Sequence, residues 1–168
     1  MLFGVTLFHC SVSLGQAPNT EIARIRKVFS EVNSDTRLKK VVLDAEDFLQ
    51  ETPDGGASLT GYFSKTSLVK ITSWIGLSYG IQQIDFYFDG KGLIFCYVSE
   101  RHFKLTDAGT DLRRTNLVFE GRYYFKNDKL LQTKRNGSGF WDKESEAGII
   151  PNSKEYYKIL MTKKYNAS

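Results

Sequence analysis

Histidine and cysteine are nearly absent from this sequence, with two of each, and that scarcity removes several chemistries at the outset. His9 and Cys10 lie in an apolar N-terminal stretch that reads as a leader, which leaves His102 and Cys96 for the rest of the chain. A Ser-His-Asp arrangement would have a single candidate base, and no Gly-x-Ser-x-Gly turn presents a nucleophile. Cys96 and His102 are separated by about 20 Å in extended chain, at roughly 3.3 Å per residue. They meet as a thiol–imidazole dyad only if the chain bends sharply between them, so Cys96 reads as a small core residue and His102 as a surface one. A structural zinc site needs more ligands than these two. With one cysteine outside the leader, no intramolecular disulfide forms and stability must come from the core.

Other absences narrow the field further. There are only three prolines and no long polar tract, which argues against disorder. No phosphate-cradling glycine loop is present, since Gly55-Gly56 lacks the following Lys-Ser/Thr. The one acidic cluster, Asp44, Glu46, Asp47, Glu51 and Asp54, lacks the alternate spacing and central glycine of a calcium loop and reads as solvated. No metal or cofactor is expected. Paired carboxylates suffice for glycoside hydrolysis, and a sequence alone does not remove that route.

What is present is apolar and aromatic. The 168 residues are 41% hydrophobic, with twelve Phe and nine Tyr, enough for one domain with a real core. The net charge of +4 is unevenly placed: the first hundred residues sum to −2 and the remainder to +6. The basic residues of the second half are scattered singly or in pairs. A nucleic-acid groove shows a denser stripe, so no nucleic-acid partner is expected.

Residues 1–17, MLFGVTLFHCSVSLGQA, carry no charged side chain and run from an apolar front to a cluster of small residues. That is the form of an export signal, and it is too short to span a bilayer. Cleavage after Gly15 places small residues at both specificity positions, whereas Ala17 precedes Pro18. The expected organisation is an export signal over 1–15 and a single β-rich domain over 16–168. The product is expected to be exported, to the periplasm, cell surface or medium, and to touch a membrane only transiently. Lipid attachment at Cys10 is disfavoured because the bulky Phe8 and His9 precede it.

Three segments repeat without gaps: GYFSKTSLV from Gly61, FYFDGKGLI from Phe86 and YYFKNDKLL from Tyr123. Each reads Tyr-Phe, four mostly polar residues, Leu and a second aliphatic. Aromatic and aliphatic runs flanking a short polar loop predict β-hairpins, with turn chemistry at Asp89-Gly90 and Asn127-Asp128. Residues 93–98 are apolar on both sides and predict a central strand. Leu68–Trp74 and Leu117–Phe125 add further strands to a meander of about six. Ile22, Ile25, Val28, Phe29 and Val32 recur at helical spacing and predict a helix that covers the sheet. Near the end, Asn152 and Glu155 form a capping pair that opens a second helix with Tyr156, Ile159 and Leu160 inward. The alternative there is an edge strand over Lys154–Thr162. Arg135–Ser138 reads as a turn and Ala147–Asn152 as a loop. The fold class is α+β: an antiparallel β-meander of repeated hairpins packed by an N-terminal helix and a less strongly signalled C-terminal one.

Adjacent residues in a strand face opposite sides. If Phe63, Phe88 and Phe125 point under the helix, Tyr62, Tyr87 and Tyr124 line the open face. Tyrosine offers apolar area and a polar tip, so this row is the candidate site for a protein, peptide or glycan. The competing reading is cross-strand packing that stabilises the sheet. With its short leader, single strong helix and Tyr-Phe hairpins, the chain resembles the small exported bacterial proteins of unknown function. The resemblance covers most of the chain, attaches no named family and transfers no functional residue. The expected function is a non-catalytic exported binding protein; the alternative is a small secreted hydrolase with a carboxylate-based site.

Overall fold

The computed structural model describes residues 18–90, 92–107, 109–141 and 143–166. The expected leader, with Cys10 and the cleavage position, lies outside them. The chain forms helix α1 (Pro18–Ser34), strands β1 (Lys39–Asp44), β2 (Ala57–Ser64), β3 (Ser67–Leu77), β4 (Gly80–Asp89), β5 (Gly92–Thr106), β6 (Gly109–Lys126) and β7 (Lys129–Gly137), then a short helix α2 (Lys143–Ala147) and helix α3 (Ile149–Asn166). All seven strands pair antiparallel in chain order, β1 to β7. The fold is α+β, as the repeat and the helical spacing predict.

The sequence repeat is a structural repeat. Each Tyr-Phe segment enters a hairpin, β2–β3, β4–β5 and β6–β7, and each hairpin carries one irregularity at the same place. Tyr62 pairs with Lys70 but Phe63 with Leu68; Tyr87 pairs with Phe95 but Phe88 with Leu93; Tyr124 pairs with Gln132 but Phe125 with Leu130. Val69, Ile94 and Leu131, the second aliphatic of each repeat, are therefore the extra residues of three β-bulges. Left-handed backbone at Lys65, Gly90, Asn127 and Asp128 closes the turns.

Both faces of the sheet are apolar where the repeats lie, and each has its own helix. Phe63, Phe88 and Phe125 join a cluster with Leu160 and Ile149 of α3. On the other side, Ile22 and Ile25 of α1 bury Tyr87, Ile94, Phe95 and Tyr124. The bulge explains this second cluster: it turns Ile94 and Phe95 to the same side, opposite Tyr87. At Gly121 an added Cβ would lie 2.6 Å from the Tyr123 ring. That ring is pinned, because its hydroxyl donates to Glu146 at 2.9 Å and accepts from the Trp141 indole at 2.9 Å.

The sheet has seven strands, because Lys39–Asp44 pairs with β2 although its first two residues are lysines. Arg135–Ser138 is no turn: β7 continues to Gly137, pairing Arg135 with Gly121 and Asn136 with Glu120. An edge strand needs only backbone partners, so its polar composition hid it. Ala147–Asn152 is helical rather than a loop, with Gly148 N–H donating to Glu144 O and Asn152 N–H to Gly148 O. Helix α3 therefore starts at Ile149, ahead of the expected Asn152 cap, and accommodates Pro151 in its first turn, where no N–H is needed. The edge-strand alternative for 154–162 is overturned by the same helix.

Candidate functional site

Cross-strand pairing lines up three rows on the α1 side of the sheet. The first runs Lys40, Tyr62, Lys70, Tyr87, Phe95, Tyr124 and Gln132; the second Val42, Thr60, Thr72, Asp85, Tyr97, Arg122 and Lys134; the third Asp44, Ser58, Trp74, Gln83, Ser99, Glu120 and Asn136. The predicted tyrosines do share one row. That row is not an open face, however: Tyr87 is 1% exposed and Tyr124 4%, both beneath α1. The reason is that the sheet has two apolar faces, and α1 covers the tyrosine side while α3 covers the phenylalanine side. Tyr62 stays half-buried, with the Lys40 and Lys70 ammoniums each 5.4 Å from its ring centre. Tyr87 donates its hydroxyl to Asn33 of α1 at 3.1 Å.

Beside Tyr87, a polar network fills the second row. Asp85 lies 3.3 Å from the Lys70 ammonium and accepts hydrogen bonds from Thr72 at 2.7 Å and Gln83 at 3.3 Å. Burial alone would lower the Lys70 ammonium, but Asp85 and Tyr87 together outweigh it and the net shift is upward. Burial, then the Asp85 charge, pushes the Tyr87 phenol up. Lysine stays charged and phenol neutral near neutrality, so neither is poised to exchange a proton.

The second row meets α1 at a cleft of about 290 Å³ lined by Ile25, Arg26 and Phe29 of α1, Phe95 and Tyr97 of β5, and Arg122 and Tyr124 of β6. Its floor is apolar, and Phe29 stands at the mouth with 37% exposure. The Arg26 guanidinium lies 5.9 Å from the Tyr124 ring centre and that of Arg122 lies 5.3 Å from the Tyr97 ring centre. Arg122 donates to Glu120 at 2.8 Å, and the Tyr97 hydroxyl donates to the other Glu120 oxygen at 3.1 Å. The Arg122 hydrogen bond holds the Glu120 carboxyl below its usual range, while burial and then Glu120 push the Tyr97 phenol up. Of the predicted tyrosines only Tyr124 lines this cleft. The Arg-x-Tyr alternation at 122–124 was a visible signal for it, but the contribution of β5 and α1 depends on register that no local pattern carries.

A second polar cluster sits on the opposite side. Glu100 is fully buried, lies 2.6 Å from His102 Nε2 and accepts the Phe140 N–H at 2.8 Å. His102 stacks on Phe140, with ring centres 5.6 Å apart, and meets Tyr79 edge-on. This cluster ties the segment after β7 to the sheet. Cys96 lies apart on β5, fully buried, and desolvation pushes its thiol well up. In the acidic cluster, Asp47 is paired with Lys163 at 2.5 Å. Among the described residues, no group of three or more His, Cys, Asp or Glu side chains is placed to hold a metal, and no helix is long and apolar enough to cross a membrane. No protein-family model matches the chain, and no curated protein or solved structure does either.

Proposed function

We propose that the chain is a non-catalytic binding protein that acts after export, and that its ligand seats in the cleft between α1 and strands β5 and β6. The observation that carries this reading is the cleft's composition: an apolar floor of Ile25, Phe95 and Tyr124 with two guanidiniums and a tyrosine at its rim. Few polar groups converging on apolar walls is the usual make-up of a ligand pocket. Its volume suits one side chain or one small organic group, free or presented by a protein, peptide or glycan. The half-buried Thr72, Trp74 and Gln83 lie on the same side of the sheet and extend the contact surface. Glu120, at the cleft edge, is neutralised by Arg122 and held ionised, which suits a scaffold role better than a general acid. The leader-like N-terminal sequence supports export.

The test is a thermal-shift screen of the full chain against glycans, peptides, small organic acids, nucleotides and divalent metals, repeated on Phe29→Ser and Tyr97→Ala. A ligand at a hundred times its Kd stabilises by about 2.7 kcal/mol. The reading expects a hit that both variants abolish. A hit that survives both substitutions contradicts it.

A further inference from the structure

We infer that the cleft takes an amphipathic carboxylate: a small organic acid whose apolar body rests on Phe29, Phe95 and Tyr124 and whose anionic head pairs with Arg26. The inference rests on the reading of the cleft as the ligand site and goes on to name the ligand's chemistry.

The cleft carries one unmatched charge. Three guanidiniums lie on α1 or in the cleft it forms with the sheet. Arg24 is matched by Glu21 at 2.7 Å and Asp89 at 2.6 Å, and Arg122 by Glu120 at 2.8 Å. Arg26 has no carboxylate within ion-pair distance among the described residues, although it lines the cleft and sits over Tyr124. The Tyr97 hydroxyl and the Arg122 charge are committed to Glu120, so the unmatched charge at the rim belongs to Arg26. Guanidinium presents a planar fork that matches a carboxylate with two parallel hydrogen bonds. Next to it, Phe29 leaves an aromatic surface partly uncovered at the mouth. Arg26 is exposed, so a neutral ligand would leave its charge to water, and a cationic one would be repelled by it.

Calorimetric titration of the full chain with 4-phenylbutyrate, 4-phenylbutanamide and 4-phenylbutylamine tests this. The three probes share an apolar body and differ in head-group charge. The inference expects the carboxylate to bind at least tenfold more tightly than the amide and the amine not to bind. It also expects Arg26→Gln to erase the preference for the carboxylate without changing Tm, and Arg26→Lys to restore part of it. Equal affinity for carboxylate and amide, each lost in Phe29→Ser, overturns the anion assignment and leaves the cleft as a ligand site. Carboxylate binding that Arg26→Gln and Phe29→Ser both leave intact overturns the assignment and the cleft reading together. No binding of any probe at millimolar concentration overturns the anion assignment, and a glycan or peptide hit sensitive to Phe29→Ser would then show the cleft reading surviving it.

Discussion

Tyr87 pairs with Phe95 across β4 and β5, yet the next pair along the ladder is Phe88 with Leu93, so Ile94 has no partner of its own. This single extra residue places Ile94 and Phe95 together under α1 while Leu93 goes to the α3 side. Deleting Ile94 would keep both flanking pairs in register and turn the bulge into a regular ladder, at the cost of the side chain that Ile94 buries under α1. We predict that the deletion and Ile94→Ala both keep a cooperative unfolding transition by circular dichroism and that each costs about 2–4 kcal/mol. Deleting Leu131, the corresponding residue of the edge hairpin, should be far milder, since β7 has a partner on one side only. Equal effects of the two deletions would contradict this account of the repeat.

A second prediction concerns Glu100. Its carboxylate is fully buried and serves both His102 and the Phe140 N–H. Glu100→Ala leaves those groups unpaired and should cost about 2–3 kcal/mol in urea denaturation. His102→Ala should cost less, because the imidazole is partly exposed and Phe140 keeps its acceptor. A larger loss for His102→Ala would place the weight of the cluster on the ring stack instead.

Gly121 offers a steric test. An added methyl would press on the Tyr123 ring, which cannot swing away while Glu146 and Trp141 hold its hydroxyl. Gly121→Ala should destabilise by about 1–3 kcal/mol. Combining it with Tyr123→Leu should give a smaller total than the sum of the two single changes. Strict additivity would show that the ring is not the obstacle.

The pH dependence follows from the carboxylates. Arg24 holds the Glu21 carboxyl below 4.5 against the opposing effect of burial, and Arg122 does the same for Glu120. Groups whose folded pKa is lowered contribute fully above the unfolded value and lose that contribution as pH falls through the folded one. Stability should therefore decline below about pH 4.5, and Glu21→Gln should flatten that acid limb in denaturation curves measured from pH 6 to pH 2.5. Lys70 is raised despite burial, through Asp85, and burial raises Tyr87. Their contributions are complete below the unfolded values and disappear as pH rises through the folded ones, on the alkaline side.

Local patterns carried much of this architecture. Tyr-Phe repeats with turn residues between them are legible because a hairpin is a short-range object, and α1 is legible because Ile22, Ile25, Val28 and Val32 recur at its period. The far end of strand β7 and the start of α3 were not, since Lys134, Arg135 and Asn136 pair through backbone and Gly148 sits inside a helical turn. The alternation of Tyr and Phe separated two faces correctly, but it does not say which helix lies on which. That choice buried Tyr87 and Tyr124 and opened the cleft a row away, between residues as distant in sequence as Arg26 and Arg122.

The central claim, that ligands enter beside α1, is tested most directly by chemical-shift mapping of the isotope-labelled full chain with a panel compound that binds. The account predicts the largest perturbations at Ile25, Phe29, Phe95, Tyr97 and Tyr124. Perturbations concentrated at Tyr79, Glu100, His102 and Phe140, with the cleft residues unmoved, would contradict it.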